Sequence, residues 1–493
     1  ITKEPLMHLC LELNEMGLLT GMKDLGGGGL SCVVGELALD AGFGAKVNLE
    51  KVHLKVENMP PWEIWVSESQ ERMMFTVTPK NVDKVLELCK SWDVEAVSIG
   101  KVIAEKRNIV NYHGTEILNL DLEFTTGGPV YKRPYNLPEY NIGNPADLPS
   151  YPSDMKAQII NIINQPEVAS KDWVIRQYDH EVRGKTTLKP IQGPIGKEVP
   201  GDSSVIKPVD DSWKGLALTS DVNPYLMEAN PYHGTMSAVE EVCRNLASVG
   251  ARIDSLADCL CFGNPRRPDI MGQFKASCEA LRDAATAVDV PYVSGNVSLY
   301  NETQEGAIPP TPVLMGIGLV NDIRKCVTSD MKNEGSIWLV GQTKEEMGAS
   351  LYYRTLGLEC PKVPSTNFKT FLPRMEQLIQ AIESGEVVAC HDISNGGLAL
   401  SIIEMCMSGV GAEITFDGQL RNDIELFSES NGRWIVQVKP GHEDAFSKRF
   451  DFAKKIGDIN QKIIFKSSND TIAQLTIKEV RDKWTKPIWD RLA

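Results

Sequence analysis

The stretch that decides the fold is DLGGGGL at residues 24–30, because a second version of it, DISNGGL, lies at residues 392–398. Each version opens an apolar stretch with helix-like spacing. A second pair follows the first, with SESQER at residues 67–72 and SESNGR at residues 428–433. Both members of this pair run into a short apolar segment that is predicted to be a buried strand. The matched order of these segments indicates an internal duplication.

The duplication organises the whole chain into domains. An Ile-Gly dipeptide follows in both copies, at residues 99–100 and 456–457, which extends the match. Between the copies lies a different unit, preceded by a stretch rich in Pro, Gly, Asn and Tyr that is typical of a linker. The predicted order is a first repeat domain (residues 1–135), a linker (136–154), a middle domain (155–330) and a second repeat domain (331–493).

A duplicated protein should alternate two domain types, A-B-A-B, whereas the order here is B-A-B. The spacing in the second copy places the start of a further A domain roughly 210 residues before Ile1. Ile1 is also not a methionine. We therefore expect that an N-terminal A domain is absent from this chain. We also expect the sheet of the middle domain to pack against a partner sheet, without which a large apolar face is exposed.

Composition limits the functional classes. The chain has 493 residues, of which 42% are hydrophobic and 24% charged, as is usual for a soluble globular protein with several domains. Its net charge of −15 argues against nucleic acid or an anionic membrane as the main partner. No apolar run reaches the roughly 18 residues of a membrane span, and no signal peptide is visible. Eleven scattered cysteines without a CxxC pair fit reduced thiols in the cytoplasm.

Polar groups cluster at both motifs of the first repeat. Asp24 precedes four glycines, whose backbone and following helix N-terminus could bind phosphate, while the carboxylate could bind Mg²⁺. A tight turn with a helix-capping aspartate explains the same residues. Glu68, Ser69 and Gln70 could grip ribose hydroxyls and an amide-bearing substrate. A solvated strand start, with Glu68 paired to Arg72, is the alternative.

The middle domain carries a second polar string, SGNVSLYNE at residues 294–302. Its backbone amides, amide oxygen and hydroxyl could hold a phosphate and complete a Mg²⁺ shell, although a turn between strands explains part of it. A metal site at Cys259 and Cys261 has weak support, because no second cysteine pair or nearby histidine completes it. His180 lies between carboxylates but is more often a surface histidine, and His391 has no visible partner set.

Six motifs in this order resemble the small bacterial and archaeal type of formylglycinamide ribonucleotide amidotransferase. They are DLGGGGL (24–30), SESQERM (67–73), YDHEV (178–182), DCLCFGNP (258–265), SGNVSLYNET (294–303) and HDISNGGL (391–398). The resemblance covers essentially the whole chain. It implies an α+β and α/β fold of duplicated A-B halves, as in the aminoimidazole ribonucleotide synthetase-like superfamily, present here as B1-A2-B2.

The resemblance also implies an activity. This family converts formylglycinamide ribonucleotide to its amidine with ATP, Mg²⁺ and ammonia from glutamine, in de novo purine synthesis. The implied roles are Mg²⁺ ligation by Asp24 and Asn296, substrate binding by Glu68, Ser69, Gln70 and Ser298, and nucleotide binding by Asp258 and Gly295. Catalytic residues are expected in the absent A domain. The implied partners are that domain, a glutaminase subunit and a small bridging subunit.

Two other functions remain open from the sequence. The retained domains could form a non-catalytic nucleotide-binding scaffold, because the catalytic segment is expected elsewhere. The chain could also be an ATP-dependent synthetase or kinase of the same superfamily with another substrate. Whether the second repeat holds a structural nucleotide is likewise open, since Gln70 and Glu71 of the first repeat correspond to Asn431 and Gly432 in the second.

Overall fold

The computed structural model describes residues 2–128, 130–139, 148–358, 362–468 and 470–492. These residues form two compact units, residues 1–132 and residues 133–493. The first unit holds the first repeat, and the second unit holds the middle domain together with the second repeat.

The first unit contains short helices and two antiparallel or mixed sheets. Its helices are α1 (Lys3–Glu15), α2 (Leu30–Asp40), α3 (Pro61–Val66), α4 (Val82–Ser91) and α5 (Leu122–Gly127). Its strands are β1 (Leu19–Asp24), β2 (Gly44–Asn48), β3 (Met73–Val77), β4 (Gly100–Ile103), β5 (Arg107–Tyr112) and β6 (Thr115–Asp121). Strands β1 and β3 pair, and the other sheet has the order β4-β2-β5-β6. The apolar side of α2, with Val33, Val34 and Ala38, packs on Val47 and Val110 of the second sheet.

The middle domain is built on a sheet of order β13-β12-β16-β11-β10-β7. Its helices are α6 (Met155–Ile163), α7 (Asp172–Arg176), α8 (Pro224–Ala229), α9 (Pro231–Ser248) and α10 (Pro268–Val288). Its strands are β7 (Thr186–Leu188), β8 (Ile191–Gln192), β9 (Val199–Pro200), β10 (Ser204–Ile206), β11 (Gly215–Asp221), β12 (Arg252–Cys261), β13 (Tyr292–Ser298), β14 (Glu302–Thr303), β15 (Gly306–Ala307) and β16 (Thr311–Val320).

The two faces of this sheet differ. Gly316 and Gly318 of β16 lie against Val242 and Leu246 of α9, so that face is covered by helices. The side chains of the odd-numbered residues of β16 point to the opposite face of the sheet, because side chains alternate along a strand. Met315 and Leu319 are 36% and 48% exposed there. This is the face for which the sequence predicts a partner sheet.

The second repeat forms one sheet of order β18-β20-β17-β21-β19-β22-β23. Its strands are β17 (Ser336–Val340), β18 (Val387–Asp392), β19 (Gly411–Phe416), β20 (Trp434–Val438), β21 (Ala453–Asn460), β22 (Ile463–Ser467) and β23 (Asp470–Leu475). Its helices are α11 (Leu351–Thr355), α12 (Phe368–Glu383), α13 (Gly397–Cys406), α14 (Asn422–Phe427), α15 (Glu443–Arg449) and α16 (Ile477–Leu492).

The strand pairings agree with the duplication predicted from the sequence. The antiparallel pair β1-β3 corresponds to β18-β20, and β4-β2-β5-β6 corresponds to β21-β19-β22-β23. In the second repeat, β17 pairs with both β20 and β21 and so joins the two parts into one sheet. Among the described residues of the first unit, no strand pairs with both β3 and β4 in the way that β17 pairs with β20 and β21. The first repeat therefore has two separate sheets where the second has one.

The middle domain and the second repeat share their cores. Ile159 and Ile162 of α6, which the sequence assigns to the middle domain, pack with Leu400 and Ile403 of α13. Val242 of α9 belongs to the same apolar cluster as α12 and β20. This shared burial explains why residues 133–493 form one compact unit. Within the described part of the chain, no helix is both long enough and apolar enough to cross a bilayer.

Candidate functional site

The glycine-rich turn of the first repeat connects β1 to α2. Gly28 and Gly29 have φ angles of +72° and +54°, a region that side chains disfavour. The N–H of Gly28 donates a hydrogen bond to Oε1 of Glu68 at 2.8 Å. The turn therefore brings together the two motifs that the sequence singles out, and Asp24, at the end of β1, is exposed beside them.

The loop at residues 67–71 is held by Arg72. Its Nε donates to the carbonyl oxygen of Ser69 at 2.6 Å, and its Nη2 donates to the carbonyl oxygen of Ser67 at 2.5 Å. Burial lowers the pKa of Arg72. Gln70 closes the loop by donating from Nε2 to the carbonyl oxygen of Glu68. Arg72 thus organises the backbone, and the carboxylate of Glu68 binds the glycine turn.

The first repeat presents an exposed set of oxygen ligands. The side chains of Glu68, Ser69 and Gln70 are exposed, like that of Asp24. Both carboxylates lie close to the glycine backbone: a Cβ at Gly26 would lie 3.7 Å from Oδ2 of Asp24, and one at Gly27 would lie 3.9 Å from Oε1 of Glu68. Two carboxylates and the backbone of consecutive glycines can therefore face one ligand. Mg²⁺ binds such carboxylate oxygens, and phosphate binds free backbone amides.

The middle-domain residues lie on the neighbouring parallel strands β12 and β13. Asp258 pairs with Gly295, and Cys259 pairs with Asn296. A Cβ at position 295 would lie 2.9 Å from Oδ1 of Asp258, so this close approach requires glycine. Burial raises the pKa of Asp258, while the backbone N–H of Asn296 lowers it.

Asn296 and Ser298 occupy one face of the sheet, and Asp258 occupies the other, because side chains alternate along β12 and β13. Nδ2 of Asn296 donates to Sγ of Cys259 at 3.3 Å, so its Oδ1 is the atom it can offer to a cation. Ser298 Oγ accepts a hydrogen bond from Asn301 Nδ2 at 3.1 Å. The residues of the first repeat belong to the other compact unit.

The second repeat contains a buried version of the same turn. Gly396 and Gly397 have φ angles of +76° and +67°. Oε1 of Glu429 accepts hydrogen bonds from the N–H of Gly396 at 2.7 Å and of Leu351 at 2.9 Å. Burial raises the pKa of Glu429 to about 7, against these hydrogen bonds. Glu429 therefore repeats the role of Glu68 in a site without solvent.

Sequence reasoning missed a cluster of charged residues around this second turn. His391 contacts Asp202 through Nδ1 at 2.6 Å and Glu404 through Nε2 at 3.0 Å. Although burial opposes it, these carboxylates raise the pKa of His391. Both ring nitrogens of His391 are thus engaged by carboxylates in this arrangement. Arg244 of α9 also belongs to this cluster. A charged residue within the apolar, helix-like stretch at residues 238–249 was the sequence signal that could have revealed the cluster.

Comparison with known proteins gives the family. The model for the C-terminal domain of AIR synthase related proteins matches residues 2–113 and 332–464, and the N-terminal domain model matches residues 200–320. The phosphoribosylformylglycinamidine synthase subunit PurL of Pyrococcus horikoshii is 34% identical over 491 residues, which are 99% of this chain and 67% of that protein. The chain belongs to the PurL family. The B-A-B order and the family predicted from the sequence are thereby confirmed.

Other PurL proteins match equally widely. PurL of Thermoplasma volcanium is 36% identical over 491 residues, covering 98% of this chain and 64% of its own length. The chain thus spans just under two thirds of that relative. A solved structure described as PurLQS from Thermotoga maritima has a TM-score of 0.67 at 23% identity and covers 93% of this chain and 67% of its own chain. This chain therefore has the same fold as that solved structure.

Proposed function

We propose that this chain forms the larger part of a PurL-type synthetase that converts formylglycinamide ribonucleotide to its amidine with ATP and ammonia. The observation that carries the proposal is the match of 33–38% identity, over at least 90% of the chain, to proteins named phosphoribosylformylglycinamidine synthase subunit PurL. Solved T. maritima PurL structures of the same fold are described as complexes with ATP and with FGAR. The exposed carboxylates of the first repeat support a site for such ligands.

The proposed roles follow the chemistry of each side chain. Asp24 and Asn296 offer oxygen atoms that would hold Mg²⁺, which would neutralise charge on the nucleotide phosphates. Glu68, Ser69, Gln70 and Ser298 would bind and orient the ribonucleotide through its hydroxyls and amide. Asp258 and Gly295 would contact the nucleotide, with Gly295 allowing close backbone approach.

The proposed reaction has two steps. The amide oxygen of the substrate attacks the γ-phosphorus of ATP, which forms an iminophosphate and releases ADP. Ammonia then attacks the activated carbon, and phosphate leaves as the C–O bond breaks. Side chains that hold substrate and nucleotide in line contribute by positioning and electrostatics, which is the main work of a phosphoryl-transfer site.

The partners belong to the same proposal. A further A domain would supply catalytic groups, a glutaminase subunit would supply ammonia, and a small subunit would bridge them. The relatives are named as subunits, which agrees with assembly into a larger complex. The ten described cysteines are free thiols, which supports function in the reducing cytoplasm.

The test is substrate-dependent ADP release with ammonium as the nitrogen donor. The assay uses the chain joined to the preceding A domain that the repeat order predicts. Turnover should require formylglycinamide ribonucleotide and should fall at least about 100-fold in Asp24→Asn, because a metal-ligating carboxylate is lost. Asp40→Asn, on the exposed end of α2, is the matched control and should keep full activity.

Three results would contradict the proposal in different ways. Turnover with another substrate alone would indicate a different synthetase or kinase of the superfamily. ATP binding without turnover would favour a nucleotide-binding scaffold. Equal activity of Asp24→Asn and the control would show that Asp24 is not part of the site.

A further inference from the structure

The strand β13 ends at Ser298, and the chain turns back immediately after it. Tyr300 lies in this turn with a φ of +64°, a region that side chains rarely adopt. Backbone in such a conformation persists only where the surrounding contacts hold it. The contacts that hold this turn therefore also fix the position of Ser298.

The amide side chain of Asn301 supplies several of these contacts. Its Nδ2 donates to the carbonyl oxygen of Ser298 at 2.9 Å and to that of Phe262, the residue that follows β12, at 3.0 Å. The backbone adds two hydrogen bonds at the same place. The N–H of Asn301 donates to the carbonyl oxygen of Phe262 at 3.2 Å, and the N–H of Phe262 donates to that of Ser298 at 3.0 Å. Asn301 thus joins the ends of two neighbouring strands.

The two carbonyl groups determine the orientation of the Asn301 amide. A carbonyl oxygen accepts hydrogen bonds and cannot donate them, so the NH₂ group of Asn301 must face Phe262 and Ser298. The same Nδ2 lies 3.1 Å from Oγ of Ser298, whereas Oδ1 of Asn301 lies 3.3 Å from it. The backbone therefore places a hydrogen-bond donor beside the serine oxygen.

This arrangement leaves the proton of the Ser298 hydroxyl available. A serine hydroxyl has one proton to donate and two lone pairs that accept, and Nδ2 of Asn301 engages one lone pair. Donation to Oδ1 of Asn301 is weak, because 3.3 Å exceeds the roughly 2.5–3.0 Å that is usual between two oxygen atoms. Ser298 is half-buried, so a bound ligand can still reach its hydroxyl.

We propose that Asn301 is a positioning residue, which holds the hydroxyl of Ser298 as a hydrogen-bond donor to an acceptor oxygen of the bound ribonucleotide. This inference rests on the proposed function, in which Ser298 binds the substrate. It assigns to Asn301 a role that is exerted through Ser298 and involves no contact of its own with the substrate.

The kinetic test compares Asn301→Ala, Ser298→Ala and the double variant in the ADP-release assay, again with the preceding A domain joined to the chain. Each single substitution should raise the KM for formylglycinamide ribonucleotide about 5–10-fold, as expected for the loss of one hydrogen bond. The KM for ATP should change less than about 2-fold. The double variant should match Ser298→Ala within about 2-fold, because no hydroxyl remains to be positioned. Effects that multiply in the double variant would overturn the proposal.

Glu302→Ala is the control for a general loosening of the turn. Oε1 of Glu302 accepts from the N–H of Asn264 at 2.9 Å, so it ties the same two loops together at another point. This variant should keep its KM for the ribonucleotide within about 2-fold of wild type. An equal rise of this KM in Glu302→Ala and Asn301→Ala would show that Asn301 serves only the structure of the loops.

A second variant covers the case in which Asn301→Ala does not fold. Asn301→Asp keeps the size of the side chain, but an ionised carboxylate cannot donate to the two carbonyl groups or to Oγ of Ser298. It should raise the KM for the ribonucleotide at least as much as Asn301→Ala. A wild-type KM in Asn301→Asp would overturn the proposal.

Hydrogen exchange of the 493-residue chain tests the same contacts without substrate. The N–H of Phe262, which donates to Ser298, should exchange slowly in wild type and in Glu302→Ala. It should exchange faster in both Asn301 variants, and wild-type exchange there would overturn the proposal even without turnover. If wild type shows no turnover but the exchange pattern is as expected, the proposed function fails while the positioning of Ser298 by Asn301 is supported.

Discussion

At the scale of single residues, one hydrogen bond occurs twice in different surroundings. Glu68 and Glu429 each accept from the first left-handed glycine of the turn, Gly28 or Gly396. Glu68 is exposed, whereas Glu429 is buried and also accepts from Leu351. The same local geometry is thus compatible with ligand binding at one turn and with core packing at the other.

The buried glutamate predicts a specific pH effect. The pKa of Glu429, raised by burial to about 7, exceeds that of an unfolded glutamate, so the native state holds a proton that the unfolded state loses. The free energy of unfolding of the wild-type chain should therefore fall as the pH rises from about 4.5 to about 7, and this group should contribute up to about 3 kcal/mol of that fall. Arg354 and Arg433, which favour the ionised form, oppose this effect. Glu429→Gln does not titrate. Denaturant unfolding at several pH values should show the variant losing less stability than wild type over that range.

The glycines of the first turn predict a second residue-level effect. A Cβ at position 29 would lie 2.0 Å from the carbonyl oxygen of Ser67, and its φ of +54° is unfavourable for alanine. Gly29→Ala should destabilise the first unit by about 2–3 kcal/mol. Gly27→Ala, with only Glu68 Oε1 within 4 Å, is the control and should cost less than about 1 kcal/mol. Equal losses in both variants, measured by denaturant unfolding, would contradict this account.

At the scale of elements, the two turns show what the sequence can and cannot reveal. Only the last two glycines of the motif have positive φ, at Gly28–Gly29 and Gly396–Gly397, so Ser394 and Asn395 replace the first two without strain. This local rule, the strands and the duplication are predictable from the printed residues. The closure of the second turn is not, because Arg244 lies 148 residues from Asp392 and meets it only through tertiary packing.

The helix α6 illustrates the same limit and gives an element-level prediction. Its sequence position suggested the middle domain, but Ile162 is 1% exposed in the core of the second repeat, against the glycine turn that precedes α13. Ile162→Ala should destabilise the second unit by about 2–5 kcal/mol, since a cavity forms. Asn161→Ala, on the exposed side of α6, should change stability by less than about 1 kcal/mol. Thermal unfolding of both variants compares them, and a loss no larger in Ile162→Ala would show that α6 does not hold the second repeat.

At the scale of the whole molecule, the central sheet of the middle domain stands out because, among the residues that the structure describes, helices cover only one of its faces. Leu319 and Met315 are exposed, and Leu218 and Ile317 beside them are partly exposed. Contiguous apolar surface of this kind is typical of a protein–protein interface. The proposed partner A domain would pack on this face. Without that domain, the exposed face should associate with other copies of the chain.

The isolated 493-residue chain should therefore self-associate with rising concentration, and charge on this face should oppose it. Leu319→Lys places an ammonium group in the middle of the apolar surface, where association would bury it at a cost of several kcal/mol. Sedimentation velocity should show a shift toward monomer of at least about 10-fold in the association constant. Ile195→Lys, at a residue 97% exposed elsewhere in the second unit, is the matched control and should associate like wild type. If both lysine variants weaken association equally, net charge rather than this sheet face controls it, and the case for a sheet partner at β11, β12 and β16 fails.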